Sequence, residues 1–527
     1  MKHGLRIKGA TTLAGTKFVS VTRGDNTAWV PHAAFAIETP REIKSKLASQ
    51  GVILIGSDWG AVINQVQALQ SFPLRDLIER PGWTGSYFTM ADCSVIGPGR
   101  RRKPRALFAG HGFFCSTQGT LETWKAGVAA PLIGQNLLSF LLMAAFAAPL
   151  LALTQRQGNF GFELVGKGGC GKSTALYVMA SACGPAVDAS GDNYWMSFNM
   201  TMAGMEKQLQ RYNHLLTLFD EANLTVGSRS AQAIGDFRER VFRLSDGKTK
   251  STAYSPTQHT VRTIYVTTAN EPLAQLLAGG DDRTNAAAAD RLMTLMLDDD
   301  RPHGTFDFIP TEFADATEFA SHLKSVIADH YGVPLRQFLD KVAKARASDE
   351  RALRADIRAH EMKFVRKVGV DTNDGSATRV AEAFGLVYAA GKLAVRFGVL
   401  PPNFKCMAAA RYCYAMYAAH SRVPLLAELL SDLAASDNVI KLKAKKLPKV
   451  SDARFRTKAA FKRKGKGGRI ELMVSAAALK AMRSDAASVV KRAKDAGVLI
   501  HEHDRDTMHR KVRRGKGRER VYVFVIG

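Results

Sequence analysis

Cysteine is scarce in this sequence. Six in 527 residues (Cys93, Cys115, Cys170, Cys183, Cys406 and Cys413) form no CxxC pair and no regular framework, which argues against a disulfide scaffold or a zinc ribbon and for reduced, mostly buried thiols. The first 110 residues hold no paired carboxylates and no metal-ligand spacing, so nuclease or primase chemistry has no candidate there. The opening ten residues are basic but lack the apolar core of a secretory signal. One long uncharged run exists, NLLSFLLMAAFAAPLLALT at 136–154, and it is nearly long enough to span a bilayer. Pro149 breaks that run, alanine fills its middle, no second run accompanies it and a strand pattern follows. A buried helix is therefore expected, in a cytoplasmic protein that engages no membrane.

Acidic residues are also in deficit. The chain has 48 Asp and Glu against 74 Lys and Arg, a formal charge of +26. Net charge does not choose a fold, but it draws polyanions and speeds their association. The excess is concentrated: residues 441–527 carry 26 Lys and Arg against 8 Asp and Glu, the mark of a dedicated basic segment. Apolar residues make up 46% of the chain, too many for disorder. The length suits three or four domains of about 100–200 residues each.

Periodicity divides the chain four ways. Residues 1–115 alternate short apolar runs with Gly, Pro and Asp turns and read as a small α+β domain, with Trp83 as a core anchor. Residues 116–154 look helical and lead into an α/β core ending near 310, where apolar strands (FELVG, LLTLFDEA, RTIYVTTA) alternate with helical stretches. Residues 311–440 read as a helical domain with a polar joint near 345–375. After a lysine-rich linker at 441–449, residues 450–527 run strand, helix near 475–482, helix near 484–496, then strands VLIHEH and VYVFVI around HRKVRRGKGRER. That order predicts a winged helix, whose second helix enters a groove and whose basic wing, with Arg513, Arg514, Lys516 and Arg518, touches phosphates.

GKGGCGKS at 166–173 fits GxxxxGK[ST] at every fixed position. FELV before it reads as a buried strand and TALYVMASACG after it as a helix, the placement this phosphate-binding loop requires. Gly166, Gly168, Gly169, Cys170 and Gly171 would turn backbone N–H groups toward ATP phosphates, and the helix N-terminus, entered through Ser173 and Thr174, adds positive potential. Lys172 would reach the β and γ phosphates, and Ser173 would offer its hydroxyl to Mg²⁺. LLTLFDE then supplies a Walker B strand: Asp220 would hold Mg²⁺ through its hydration shell and Glu221 would polarise the attacking water. A third strand ends at Asn270, placed either to orient that water or to cap the turn before Pro272.

Between these strands, 242–254 (FRLSDGKTKSTAY) reads as strand, glycine turn and strand. It would project Lys248 and Lys250 into the pore of a ring to grip single-stranded DNA, or lie as a solvated hairpin. Arg291, on an expected helix, is either an arginine finger acting on a neighbouring subunit or an ordinary ion-paired residue; Arg283 is its rival.

With these motifs in hand, the core resembles superfamily three and related AAA+ helicases. PGWTGSYFTM, TWKAGVAAPLIGQNLLSFLLMAAFAAPLL, GFELVGKGGCGKST and LLTLFDEAN are similar to bacterial and phage "domain of unknown function 927" ATPases, over about residues 80–310. These occur in phages, plasmids and mobile islands, some with helicase activity like that of the minichromosome-maintenance type. The resemblance implies a homo-hexameric, ATP- and Mg²⁺-dependent DNA helicase for replication or maintenance of a mobile element. Single strands would occupy its pore and duplex its winged helix. The family often has Asp-Glu-Leu after Walker B where Ala222 and Asn223 stand here. The alternatives are a nucleic-acid-sensing regulatory or defence ATPase without unwinding activity and, resting on 136–154 alone, a membrane-associated ATPase. If a folded basic wing holds duplex DNA, affinity measured by fluorescence anisotropy falls with added salt by about 0.9 log units per log unit of salt for each phosphate contacted. A flat salt response would remove the wing.

Overall fold

The computed structural model describes residues 4–99, 103–108, 113–187, 194–198, 200–220, 231–248, 260–272, 290–298, 300–421, 426–435, 439–442, 460–464, 469–482, 486–501, 505–510 and 519–526. The chain divides into two units, residues 1–270 with 290–417, and residues 271–289 with 418–527. The architecture is mixed α/β.

The first unit opens with an antiparallel meander of β1 (Leu5–Thr11), β2 (Lys17–Arg23) and β3 (Asn26–Pro31). Val19, Val21 and Val30 share a small core with Ile43 and Leu47 of α1 (Pro40–Ala48) and Val62 of α2 (Asp58–Gln67). Thr39 and Glu42 form a reciprocal capping box ahead of Pro40, which starts α1 at that point.

A second antiparallel piece, β4 (Gly82–Thr84), β5 (Tyr87–Thr89) and β6 (Val95–Ile96), is fastened to the large sheet rather than to the meander. The Trp83 indole N–H donates to the Pro149 carbonyl at 2.9 Å, and its backbone N–H donates to His214 Nδ1 at 3.0 Å. Trp83 thus anchors this piece by its hydrogen bonds, although it is only partly buried rather than a core residue. Gly82 makes the approach possible: its φ is +99°, and a Cβ there would stand 2.4 Å from His214 Nδ1.

The large sheet is built from β7 (Phe160–Val165), β8 (Met196–Ser197), β9 (Leu216–Asp220), β10 (Ile264–Ala269) and β11 (Leu292–Met296). They lie in the order β8-β9-β10-β7-β11, all parallel. Every residue of β7 and β10 is buried, as a sheet covered on both faces requires. Helix α3 (Asn136–Leu150) packs against this sheet and is buried from Leu137 onward. Residues Asn136–Leu153 are long and apolar enough to cross a membrane by length and composition, but 89% of that window is buried inside the fold. Phe140 of α3, Phe162 of β7 and Phe384 interlock with ring centroids 5.0–5.3 Å apart. The apolar run at 136–153 is thus accounted for by packing inside the fold.

Helix α4 (Lys172–Cys183) follows β7, and α5 (Ala231–Asp246) follows β9. Two expectations fail here. Residues 242–246 finish α5 instead of forming a strand, because Val241 and Leu244 bury on the helical spacing that Phe242 to Ser245 continue. RLMTLM, expected as helix, is strand β11: it pairs in parallel with β7, and that burial overrides the helical propensity of Leu and Met.

Helices α6 (Ala316–Asp329), α7 (Val333–Val368), α8 (Gly375–Arg396) and α9 (Cys406–Ser421) follow. The expected joint at 345–375 is mostly helix. α7 runs through it with one break in helical geometry at Asp349, and the connection to α8 is confined to residues after Val368. Its mixed charges are intrahelical partners: Glu350 pairs with Arg346 at 2.8 Å and with Arg354 at 2.7 Å, both four residues away.

The second unit contains α10 (Leu426–Ala435), β12 (Val439–Lys441), β13 (Ala460–Lys464), β14 (Ile470–Val474), α11 (Ala476–Met482), α12 (Ala486–Asp495), β15 (Leu499–Ile500), β16 (Met508–Arg510) and β17 (Glu519–Ile526). The path β12-β13-β14-β17-β15 forms one sheet, with β16 also paired to β17. Leu472, Leu479, Val489, Leu499 and Phe524 bury against one another between the sheet and its helices. The unit starts earlier than the expected boundary at 450: α10 and β12 contribute to its apolar clusters, and Lys441, read as linker, pairs with Lys462.

His214 is fully buried and accepts a hydrogen bond on Nδ1, and burial away from water pushes its imidazole pKa down to about 3. A folded-state pKa below the ordinary value of 6.5 gives stability that is complete above pH 6.5 and lost as pH falls toward 3. His214 also has φ +62°, a conformation asparagine tolerates. In urea titrations from pH 7 to pH 4, His214→Asn should lose less stability than the parent; equal slopes would refute the assignment.

Candidate functional site

β7 ends at Val165, and the chain turns through 166–171 into α4. Two residues of this turn need glycine: Gly169 has φ +79° and Gly171 has φ +92°. The turn is tied to both neighbouring strands. Gly166 N donates to the Ala269 carbonyl at the end of β10 at 3.1 Å, and Leu297 N, just past β11, donates to the Val165 carbonyl at 2.8 Å. Behind it, Thr305 N donates to the Cys170 carbonyl at 2.9 Å. A Cβ on Gly168 or Gly169 would meet nothing within 4 Å, so the backbone of those residues faces open space. A Cβ on Gly171 would stand 2.4 Å from Thr305 Oγ1.

This loop lines a cleft of about 890 Å³ at the C-terminal edge of the sheet. Gly168, Gly169, Cys170, Gly171, Lys172, Ser173 and Thr174 lie on its wall, and so do Asp220 and Asn270 from two other strand ends. Lys172 Nζ donates to the carbonyls of Gly166 (2.5 Å) and Lys167 (2.9 Å) and to Asn270 Oδ1 (3.0 Å). The Asn270 side chain therefore reaches into the cleft, which distinguishes it from a cap serving only the turn at Pro272. Thr268 Oγ1 donates to Asp220 Oδ1, so the hydroxyl of one strand steers the carboxylate of the next.

The loop backbone, the ammonium of Lys172 and the hydroxyl of Ser173 could together hold a polyphosphate, with the N-terminus of α4 beneath them. Asp220 and Ser173 are the oxygen donors that could share a hydrated divalent cation.

Other expected residues fall elsewhere. Glu221, Lys250, Arg283, Arg513, Arg514, Lys516 and Arg518 lie outside the described residues, as do Ala222 and Asn223. Lys248 is exposed and forms an antiparallel bridge with Thr260, closing the base of 249–259; the first arm of the expected hairpin is the end of α5. β16 and β17 likewise pair, from Met508 with Val521 to Arg510 with Glu519, around 511–518. Arg291 sits one residue before β11, with its guanidinium 5.3 Å from the centre of the Phe242 ring. Because β11 runs parallel to β7, this is the end of the sheet opposite the glycine loop. Arg291 contributes nothing to the cleft of its own subunit.

Sequence reasoning missed the opposite wall. Arg301, His303, Thr305 and, from α6, Thr317 and Lys324 complete the cleft. Arg301 holds this wall in shape, donating to the carbonyls of Gly304 (2.7 Å) and Phe306 (3.1 Å) and pairing with Asp307 at 3.2 Å. Lys324 Nζ lies 5.2 Å from the centre of the Tyr177 ring on α4. The usable signal was Gly304 (φ +58°), whose Cβ would stand 2.2 Å from the Cys170 carbonyl: RPHGT encodes a turn pressed against the loop.

Residues 13–263 match the family model described as "Domain of unknown function (DUF927)", which bears out the resemblance read at about 80–310 and extends it toward the N-terminus. No curated protein matches the chain. The fold is similar to a solved structure described as "SCCmec type IV Cch - active helicase", with a TM-score of 0.61 and 15% identity over 99% of this chain and 93% of that one. An apo structure of the NrS-1 C-terminal region aligns over 73% of this chain and 84% of that one at 9% identity, with a TM-score of only 0.22.

The cradle makes a sharp demand on Gly171. An alanine there takes on a left-handed backbone, at about 1–3 kcal/mol, and meets Thr305 besides. Gly171→Ala should weaken binding of a fluorescent ATP analogue about tenfold or more with a far-ultraviolet circular dichroism spectrum like the parent's. Unchanged affinity would mean that the loop does not form the binding surface.

Proposed function

We propose that this chain is an ATP-dependent DNA helicase or translocase that serves replication or maintenance of a phage or other mobile element. One observation carries the reading: residues 167–173 of the glycine loop, Asp220 and Asn270 come from three separate strand ends, and all line one cleft at the C-terminal edge of a parallel sheet. That edge, beside the strand where the order reverses, is where open α/β sheets bind ligands. The fold it shares with a protein described as an active helicase points the same way.

In this reading the backbone of Gly166, Gly168, Gly169, Cys170 and Gly171 holds the ATP phosphates. Lys172 neutralises the β and γ phosphates, and Thr174 lies in the first turn of the helix beneath them. Ser173 and Asp220 hold Mg²⁺, which, when bound, offsets the charge that develops on the phosphates. Glu221 activates water, and Asn270, which reaches Lys172, orients that water. Arg291 stays a finger candidate only in trans, and its place at the far end of the sheet makes it the weakest assignment.

Lys248, which bridges to Thr260, and Lys250 grip single-stranded DNA in the pore of a homo-hexamer. Strand, two helices and a paired strand hairpin in residues 470–526 make a winged helix, and Arg513, Arg514, Lys516 and Arg518 in the basic tip contact duplex phosphates. The site of action is the cytoplasm.

Displacement of a labelled strand from a forked duplex by the purified protein, in the presence of Mg-ATP, tests this. Lys172→Ala should lose ATP hydrolysis and unwinding by about 100-fold or more, on the scale of losing one preorganised charge contact, while DNA binding stays near the parent's. Robust DNA-stimulated hydrolysis without displacement, unaffected by substituting Lys248 and Lys250 together, would replace the motor with a nucleic-acid-sensing ATPase.

A further inference from the structure

A second cavity of about 550 Å³ opens beside the segment between α3 and β7, walled by that segment, α7 and α8. Its charged lining comprises Arg156, Arg354, Arg358, Glu361 and Glu382, with Thr154 and Gln155 beside them. Most of these charges are accounted for. Arg358 pairs with Glu361 at 3.3 Å and with Glu382 at 2.8 Å, and Arg354 pairs with Glu350 at 2.7 Å. Arg156 is different: its guanidinium lies over the Phe160 ring at 4.5 Å, and one nitrogen donates to the Arg379 carbonyl at 2.8 Å. No carboxylate among the described residues forms an ion pair with it. Burial lowers its pKa to about 10, against the pull of Glu382 and Glu361.

Arg156 is partly buried, and a guanidinium only partly open to water and without a carboxylate partner is stabilised by an anion that brings its own charge. We infer that this cavity is a binding site for a small organic oxyanion, a phosphate or carboxylate compound, seated on Arg156 with Arg354 as its second contact. The planar, multi-donor guanidinium suits both oxyanion shapes. The volume falls within the range of about 300–1,000 Å³ usual for small-molecule sites, too large for a bare phosphate.

The site is separate from the nucleotide cleft. Arg156 precedes β7 and the glycine loop follows it, so the six-residue strand, about 20 Å long at ~3.3 Å per residue, lies between them. Glu361, whose pKa burial raises to about 7, tunes the site. The charged groups facing it are Arg354 and Arg358 on its own helix, Glu382 on α8 and Arg156 on the connecting segment. Its ionised form places a negative charge beside the bound anion, so affinity falls as pH rises through 7.

Calorimetric titration of the full chain with AMP, citrate and inorganic phosphate tests this in the parent and in Lys172→Ala, which disables the nucleotide cleft. AMP or citrate should bind both proteins alike and more tightly than inorganic phosphate. AMP-only binding assigns a phosphate compound, and citrate-only binding a carboxylate. Arg156→Met should weaken binding about tenfold or more, with Arg156→Lys retaining part of it. Should Arg156→Met not fold, Arg354→Gln should still show a weakening of about threefold. Glu361→Gln should flatten the decline between pH 6 and pH 8. Failure of all three anions to bind at millimolar concentration would overturn the inference. So would binding that survives Arg156→Met but vanishes in Lys172→Ala, or an Arg156-dependent affinity shown only by an oligonucleotide.

Discussion

The first unit depends on how the turn after β7 is held. A chain segment that points several backbone N–H groups at one place must satisfy its own carbonyls elsewhere, and must do so with residues free to adopt positive φ. Here Gly166 leans on Ala269, Val165 receives Leu297, and Cys170 receives Thr305. The strands on either side of β7 thereby fix the glycine loop, and the same strand ends place Asn270 and the wall at 297–306 around it. Remove that tie and Lys172, Asp220 and Asn270 become three side chains on three unrelated strands. With it, the carboxylate, the amide and the ammonium share one cleft.

Such a fixed loop needs a rigid strand behind it, and the packing supplies one. β7 is buried at every residue, with Phe160 and Phe162 in an aromatic cluster that reaches α3 and α8. α3 has no polar face because it has no solvent face. That explains a run whose composition matches a membrane span and whose environment is the interior of a globular unit. Arg262 completes the arrangement below the sheet, donating to the carbonyls of Leu151 and Arg156 and so closing the backbone where α3 hands over to β7.

How much of this could be read from the residues follows from whether a signal was local. The glycine loop, its flanking strand and helix, and the strand ending in Asp220 were legible because each is a contiguous pattern with one physical meaning. Residues 242–246 and 291–296 were misread for the opposite reason. FRLS and RLMTLM each admit helix or strand on propensity, and the choice was made by partners far along the chain: the burial of Val241 and Leu244 in one case and pairing with β7 in the other. The stretch at 345–375 looked like a joint because charge density suggested solvent, whereas Arg346, Glu350 and Arg354 stabilise a helix by pairing with one another. The second wall of the cleft left only a turn signal: RPHGT marks a turn, but that it presses on the glycine loop follows only from Gly304 lying against Cys170. Site residues that act through tertiary contact leave little trace in local sequence.

β7 joins two places where charge is concentrated, the cleft beyond its C-terminal end and the Arg156 cavity at its N-terminal end. A buried, fully paired strand transmits position well but has a single state, and coupling between sites requires an element with two. The strand cannot be that element. The better candidate is α7, whose helical geometry breaks once, at Asp349, between the part that buries Phe338 and Val342 in the core and the part that carries Arg354, Arg358 and Glu361 to the cavity wall. A ligand drawing Arg354 inward competes with Glu350 for it, and Glu350 is what joins the two halves across that break through Arg346 and Arg354. α7 as a whole also packs on α4, the helix that begins at Lys172, so the cavity wall and the cleft have one helix in common between them.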